Sequence, residues 1–378
     1  MKKRLISILA IAALAISAIS AVGCGAQPGF SAPPTVQGPQ TGTGVREKEM
    51  ITVTDSIGRA VTVPRNPDYV ATLWAPTTQI VSMLGDSDKI VVVSSGNLRD
   101  ALFIDIFPAV LNARVSTGNN ATNIEELFSD PAPQVIFCQS ALTMDETTLE
   151  MFEMFGVPLV TIDFSSMDDL KYAVALVGEI MGREEEAAAY NEYFDRVFQF
   201  VAGRVNHIPG NERKEVYHAV NELLRTNVVN SLPGDWIPQI GISLVGVGTA
   251  QGDNTERRNF ISVEQLFAYD PPYIIINGED VMDYIEYNEA MHALSAYKNN
   301  RIYLLPVGIT RFAHNNSIET PLAMLWLSKT IYPELFEDVD IHGEVRAFYK
   351  EIFNADLSDD TIGRILSGRG LREMENRD

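Results

Sequence analysis

Residues able to hold a small molecule recur in one setting: most come just after a short apolar run. Trp74 follows the run 69–73, Ser95 and Asn97 follow 89–93, and Gln139 follows 135–138. Arg225 comes after 215–220, Glu279 after 273–276, and Arg311 with His314 after 301–305. Trp236 stands behind the turn Pro233-Gly234. These types suit recognition. Trp74 and Trp236 could clamp a flat or bulky molecule, since aromatic rings supply large apolar area at little entropic cost. Arg311 could pair with a carboxylate or catecholate oxygen through its planar fork. Turnover is not suggested. No GxSxG, GxxxxGK[ST] or HExxH occurs, and Gly246-Val247-Gly248 fails the dinucleotide pattern because Gln251 stands where the third glycine belongs. No nucleophile, base and orienter can be assembled, so no enzyme is expected. His207, His218, His292, His314 and His342 form no close pair, and Cys138 lies in a strand-like run, so neither a metal site nor a cofactor is expected.

The elements that must position these residues can be read from periodicity. Residues 51–54 and 61–63 alternate around Asp55-Ser56-Ile57-Gly58, which predicts a hairpin. Apolar runs at 69–73, 89–93, 135–138 and 159–162 predict buried strands, with helices over 77–84, 123–128 and 145–155 between them. Pro76 is well placed to start the first helix. The second half repeats the scheme, with strands over 215–220, 243–247, 273–276 and 301–305 and helices over 236–240, 262–269 and 290–296. Three helices are expected in the tail, over 317–330, 343–353 and 358–366. Strands alternating with helices imply α/β architecture, a parallel sheet covered on both faces in each half. In such doubly wound lobes ligands bind beyond the carboxyl ends of the strands, where the residues above fall.

Between the halves, Leu170, Val174, Val177, Met181, Tyr190, Phe194, Val197 and Val201 recur mostly three or four apart. They predict one helix over 167–206, ended by Pro209 and Gly210. Such a helix would span on the order of 55–60 Å, enough to bridge two lobes. The halves also share a phrase. Asn123-Ile124-Glu125-Glu126-Leu127-Phe128 precedes Ala132-Pro133, and Ser262-Val263-Glu264-Gln265-Leu266-Phe267 precedes Asp270-Pro271-Pro272. Each is a capped short helix, a proline turn and a buried strand, with Asn123 and Ser262 as N-caps.

The start of the chain reads differently. Lys2, Lys3 and Arg4, then an apolar stretch over 5–19, then Ala21-Val22-Gly23-Cys24, make an export signal over 1–23. Residues 24–48 are rich in Gly, Pro, Gln and Thr and read as a flexible tether. The remaining body of about 330 residues exceeds what a single core usually sustains. It divides into a lobe over 49–166, the bridging helix over 167–206 and a lobe over 207–378. A formal charge of −21 argues against nucleic acid as a partner.

Taken in order, these segments resemble the class III solute-binding proteins of bacterial ABC importers, those for iron–siderophores, cobalamin and haem. The likeness rests on the opening hairpin Val53-Thr54-Asp55-Ser56-Ile57-Gly58, the paired glutamate phrases, the long helix and the closing stretch from Leu294 to Tyr303. The sequence around Cys24 is similar to a lipobox. The resemblance implies a ligand cleft between the lobes, with no catalysis. It implies a monomer held to the membrane through lipid on Cys24, on the extracytoplasmic face, periplasm or cell surface. It implies an ABC permease and its ATPase as partners, with Glu125 and Glu264 docking on permease arginines. The ligand it implies is a ferric siderophore, a corrinoid or haem, and His314 could ligate haem iron. Two other uses of the architecture remain open: a chelatase-like enzyme and a sensory lipoprotein.

Overall fold

Valine and isoleucine runs without polar alternation become inner strands, because a strand covered on both faces has no polar side to present. The protein is seen here in a computed structural model that describes residues 48–116, 127–248 and 259–370. β1 (Met50–Thr54) and β2 (Ala60–Pro64) form the expected antiparallel hairpin. β3 (Val70–Thr72), β4 (Ile90–Ser94), β5 (Arg114–Ser116), β6 (Val135–Cys138) and β7 (Leu159–Thr161) pair in the order β5-β4-β3-β6-β7. In the second half are β8 (Lys214–Ala219), β9 (Arg225–Thr226), β10 (Ile242–Leu244), β11 (Asn259–Phe260), β12 (Tyr273–Ile276) and β13 (Ile302–Leu304). The second sheet has the order β10-β8-β12-β13, and both larger sheets are parallel throughout. β9 and β11 form a short antiparallel pair.

Sequence boundaries hold well for α1 (Ala75–Met83), with Pro76 in its first turn. They fail at the long helix. The expected continuous rod over 167–206 is two helices, α2 (Met167–Met181) and α3 (Glu184–Val205). Gly182 adopts φ 66°, the left-handed conformation that closes a helix, and its N–H bonds the Gly178 carbonyl. The chain then reverses. Asn191 Nδ2 donates to the Lys171 carbonyl at 3.1 Å, and Lys171 Nζ reaches Asp195 at 2.8 Å. Residues on either side of Gly182 thus face each other in an antiparallel hairpin. The apolar spacing lapses at the break, where Gly182-Arg183-Glu184-Glu185-Glu186 separates Met181 from Ala187 and Tyr190, and the spacings on either side read as one stripe across that gap.

The bridge is α3 alone, about 33 Å long at 1.5 Å per residue. Its start is tied to the first half by Arg65–Glu184 and by Arg183–Asp86. Near its end Arg204 pairs with Asp338, and Val205 lies against Gly241. α4 (Leu232–Gln239) and α5 (Val263–Tyr269) belong to the second half. α6 (Thr320–Ile331) is almost wholly buried, and just before it the Ile318 carbonyl accepts the Tyr190 hydroxyl of α3 at 2.7 Å. α7 (Ile341–Phe353) returns to the first half, where Phe353 meets Phe107 edge-on with ring centres 6.1 Å apart. One apolar cluster therefore runs from Phe103 through Phe194 to Leu322 and Phe348.

Among the described residues three helices escaped the sequence reading, Ala101–Ile106, Ser140–Thr143 and Glu279–Tyr287. The helix expected over 290–296 is a 3-10 turn followed by the short helix Ser295–Lys298. Among the described residues no helix is long and apolar enough to cross a membrane.

Candidate functional site

Three chain segments converge where the two halves meet. β3 runs out into Trp74 and α1, β4 runs out into Gly96 and Asn97, and β13 leads into a loop that ends at Glu319. Between them lies a cleft of about 150 Å³. Its first wall is Ala75, Pro76 and Gln79 of α1 with Gly96, Asn97 and Asp100; its second is Ile309, Thr310, Arg311, His314 and Asn316. Both walls lie beyond the carboxyl ends of parallel strands, the place where open α/β sheets take ligands.

The first wall is rigid and acceptor-rich. Asn97 is buried, and its Nδ2 donates to the Ala75 carbonyl at 3.1 Å. That bond fixes which way the amide points and leaves Oδ1 without a hydrogen-bond partner. Gln79 Oε1 also has none. The first turn of α1 carries no acidic residue, so its positive end is not neutralised locally. Asp100 caps the helix Ala101–Ile106 by accepting Phe103 N–H at 3.2 Å.

The second wall is a folded loop rather than a strand end. Val307 and Arg311 form an isolated antiparallel bridge, and Phe312 N–H returns to the Pro306 carbonyl at 2.9 Å. Ala313 has φ 56°, an uncommon conformation for a residue other than glycine, and it separates Phe312 from His314. The His314 Nδ1 accepts Asn316 N–H at 3.2 Å, so a neutral ring carries its proton on Nε2. Behind the wall, Glu319 is fully buried. Burial pushes its carboxyl up to about 7, partly offset by hydrogen bonds from the Tyr349 hydroxyl and from Thr310.

Of the sequence candidates, the structure brings together Asn97, Arg311 and His314. Both tryptophans expected to clamp a ligand are corrected to core residues. Trp74 is 7% exposed and tilts onto Phe164 with ring centres 5.1 Å apart. Trp236 is completely buried with Leu232, Pro233 and Ile237 in α4 and offers the cleft no surface. The remaining candidates stand outside the cleft walls. Ser95 is half-buried and bonds the Ser116 carbonyl through its N–H, and Gln139 precedes the helix Ser140–Thr143. Arg225 pairs with Phe260 across β9 and β11. Glu279 engages Arg369 at 3.0 Å. Sequence reasoning missed Gln79, Asp100, Thr310 and Asn316. Gln79 was accessible in principle, one helical turn beyond Ala75 on the same face.

Glu264 occupies the first turn of α5 and is exposed. Ser262 and Gln265 cap that helix reciprocally, at 3.2 and 2.7 Å. The Glu264 carboxyl is held below the usual range by its own backbone N–H and by the Ser262 hydroxyl. Its expected counterpart Glu125, with Asn123 and Glu126, lies outside the described residues, as does Cys24. Among the described residues no three His, Cys, Asp or Glu side chains gather as metal ligands.

Comparison with known proteins accords with this arrangement. The sequence signature described as periplasmic binding protein matches residues 70–307, well over half the chain. The molybdate-binding protein MolA of Haemophilus influenzae is 22% identical over 340 residues, covering 82% of this chain and 93% of MolA. The uncharacterized ABC transporter substrate-binding lipoprotein YvrC of Bacillus subtilis is 20% identical, covering 86% and 98%. A periplasmic solute-binding protein from Veillonella parvula superposes with a TM-score of 0.71 at 21% identity, covering 86% of this chain and 99% of that one. MolA with bound molybdate gives the same score at 21% identity, over 82% and 99%. At these identities the superpositions show the fold. The chain belongs to the periplasmic binding protein family and is the substrate-binding component of an ABC transporter.

Proposed function

We propose that this protein captures a compact anion in the cleft between its lobes and delivers it to its permease. One observation carries the reading. Arg311 and His314 stand on one wall, facing the acid-free start of α1 on the other; Asp100 and the unpartnered oxygens Asn97 Oδ1 and Gln79 Oε1 on that wall can accept only from a hydroxyl or N–H of the bound molecule or its water. Arginine is the side chain best shaped to grip an oxyanion or a carboxylate, and a helix start favours negative charge. The volume adds a limit: about 150 Å³ is below the range of sites for drug-sized ligands, about 300–1,000 Å³. A ferric siderophore, a corrinoid or haem needs the walls further apart. A molybdate-binding relative supports the compact class.

In the same reading the lobes are 49–166 and 207–378, and residues 1–23 are removed on export. Cys24 then carries lipid and residues 24–48 tether the body to the extracytoplasmic face. Glu264 and Glu125 meet the permease. A calorimetric titration of the purified protein with molybdate, ferric citrate, a ferric tris-catecholate, cyanocobalamin and haemin tests the ligand class. A compact anion should bind one-to-one and lose at least a hundredfold in affinity in Arg311→Ala. Binding of haemin or cobalamin alone, indifferent to Arg311, would contradict it.

A further inference from the structure

We propose that Glu319 is the positioning residue for the ligand wall, holding the loop over 307–316 so that Arg311 and His314 face the cleft. This inference rests on the reading of Arg311 as a ligand contact and adds the group that aims it.

The geometry is specific. Glu319 is completely buried at the start of α6, with one carboxylate oxygen for each side of the loop. Oε2 accepts Thr310 N–H at 2.7 Å and the Thr310 hydroxyl at 3.1 Å. Oε1 accepts the Tyr349 hydroxyl, and that hydroxyl in turn accepts Ile309 N–H at 3.1 Å. Both backbone N–H groups immediately preceding Arg311 are therefore secured by one carboxylate and its tyrosine. Ser317 closes the loop from below, with its hydroxyl 2.7 Å from that of Thr310 and accepting Glu319 N–H at 3.2 Å.

Two independent features of the backbone point the same way. A Cβ at Gly308 would overlap both Glu319 Oε1 and the Tyr349 hydroxyl, so the loop approaches the carboxylate as closely as a chain can. Ala313 is held at φ 56° between the two ligand-facing side chains. Strain of this kind persists where surrounding structure over-determines it, and it clusters at ligand clamps. A buried acid whose hydrogen-bond partners, Thr310 and Tyr349, carry no positive charge is a costly way to brace a loop, and leucine or glutamine could fill the space. The cost is accounted for if ionisation tightens the brace. The ionised carboxylate accepts three donors, and the protonated one must give up at least one of them. The titratable groups facing it are Tyr349 on α7, Tyr190 on α3 and Asp100 from the first lobe. Burial places its titration near neutrality, at about 7.

Hydrogen–deuterium exchange of the full chain, read over 306–316 as protection factors between pH 5.5 and 8.5, tests this without a ligand. Protection in the wild type should rise through about pH 7. In Glu319→Gln, which keeps the shape, it should be flat. Tyr349→Phe removes a donor to the carboxylate, so its midpoint should move to higher pH. Calorimetry with molybdate and ferric citrate at pH 8 supplies the second arm. Glu319→Gln should bind about tenfold more weakly, although removing a negative charge alone would strengthen an anion. A flat wild-type profile, a wild-type profile retained in Glu319→Gln, or unchanged or tighter binding by that variant would overturn the proposal. If no probe binds the wild type while the exchange behaves as stated, the ligand reading fails and the loop device stands.

Discussion

Arg183 grips Asp86 with both arms of its guanidinium, Nε to Oδ2 at 3.1 Å and Nη2 to Oδ1 at 2.8 Å. Asp86 is 1% exposed, and its hydrogen bonds, then its charge, push the arginine further up. The pair fastens the tip of the α2–α3 hairpin to the turn after α1, at the point where the bridge leaves the first lobe. Arg183→Ala leaves a buried carboxylate with only Lys89 at 3.1 Å. Removing one partner of a fully buried pair typically costs about 3–5 kcal/mol; with Arg183 37% exposed and Lys89 remaining beside Asp86, the loss should be about 1–2 kcal/mol. Urea unfolding measures it; a loss below about 0.5 kcal/mol would mean that the pair contributes no lock.

Gly308→Ala should disturb the protein through one overlap with Glu319 and Tyr349. Overpacking of this sort costs about 1–3 kcal/mol, and anion affinity should fall with it because Arg311 rides on the same loop. Gly363 is the control. It lies inside the helix Asp359–Leu366 with nothing within 4 Å of an added Cβ, so Gly363→Ala should be neutral or gain about 0.5–1 kcal/mol. Thermal melts of both variants decide whether close approach, and not loss of glycine as such, is responsible.

His218 imposes a pH dependence on stability. It is fully buried at the carboxyl end of β8, with Nε2 2.7 Å from Asn277 Oδ1 and Nδ1 2.7 Å from Asn227 Nδ2. Burial lowers it from 6.5 to about 4. The unfolded chain therefore binds the proton first. Stability is unaffected above about pH 6.5 and falls as pH drops from there towards 4, by up to about 3 kcal/mol for this group. Chemical denaturation at pH 7, 5.5 and 4.5 should show a steeper decline in the wild type than in His218→Gln. Equal slopes would refute the assignment.

Replacing Glu125 and Glu264 together by Ala should leave ligand affinity within about twofold, because Glu264 is exposed and absent from the cleft walls. Uptake reconstituted with the cognate permease and ATPase should be lost. Transport at wild-type rate by the double variant would end the docking assignment.

Local signals were legible wherever one residue type in one period decides an outcome. The strands at 70–72, 135–138 and 159–161 were readable because a doubly covered strand must be apolar throughout. Arg311 and His314 were readable because chain direction alone puts them beyond a strand's carboxyl end. The reversal at Gly182 was not, since the polar interval 182–186 fits an exposed helical turn as well as a break, and the left-handed φ of Gly182 is settled only when α2 and α3 can pack. Nor were the tryptophans: a residue next to a strand end can turn its ring to the core or to the cleft, and Phe164 decides that for Trp74.

By itself, then, the chain order of apolar runs, turns and caps determined an α/β protein with two parallel sheets and polar residues at their carboxyl ends. Those choices depend on neighbours a few positions away. Only the tertiary structure decided that the rod is a hairpin plus one bridging helix, that the clamp residues are core, and that Glu319 stands behind Arg311. Each of those depends on a partner distant in the chain, Asp195 for Lys171 and Tyr349 for Glu319. A buried acid cannot be told from an exposed one until folding removes its water.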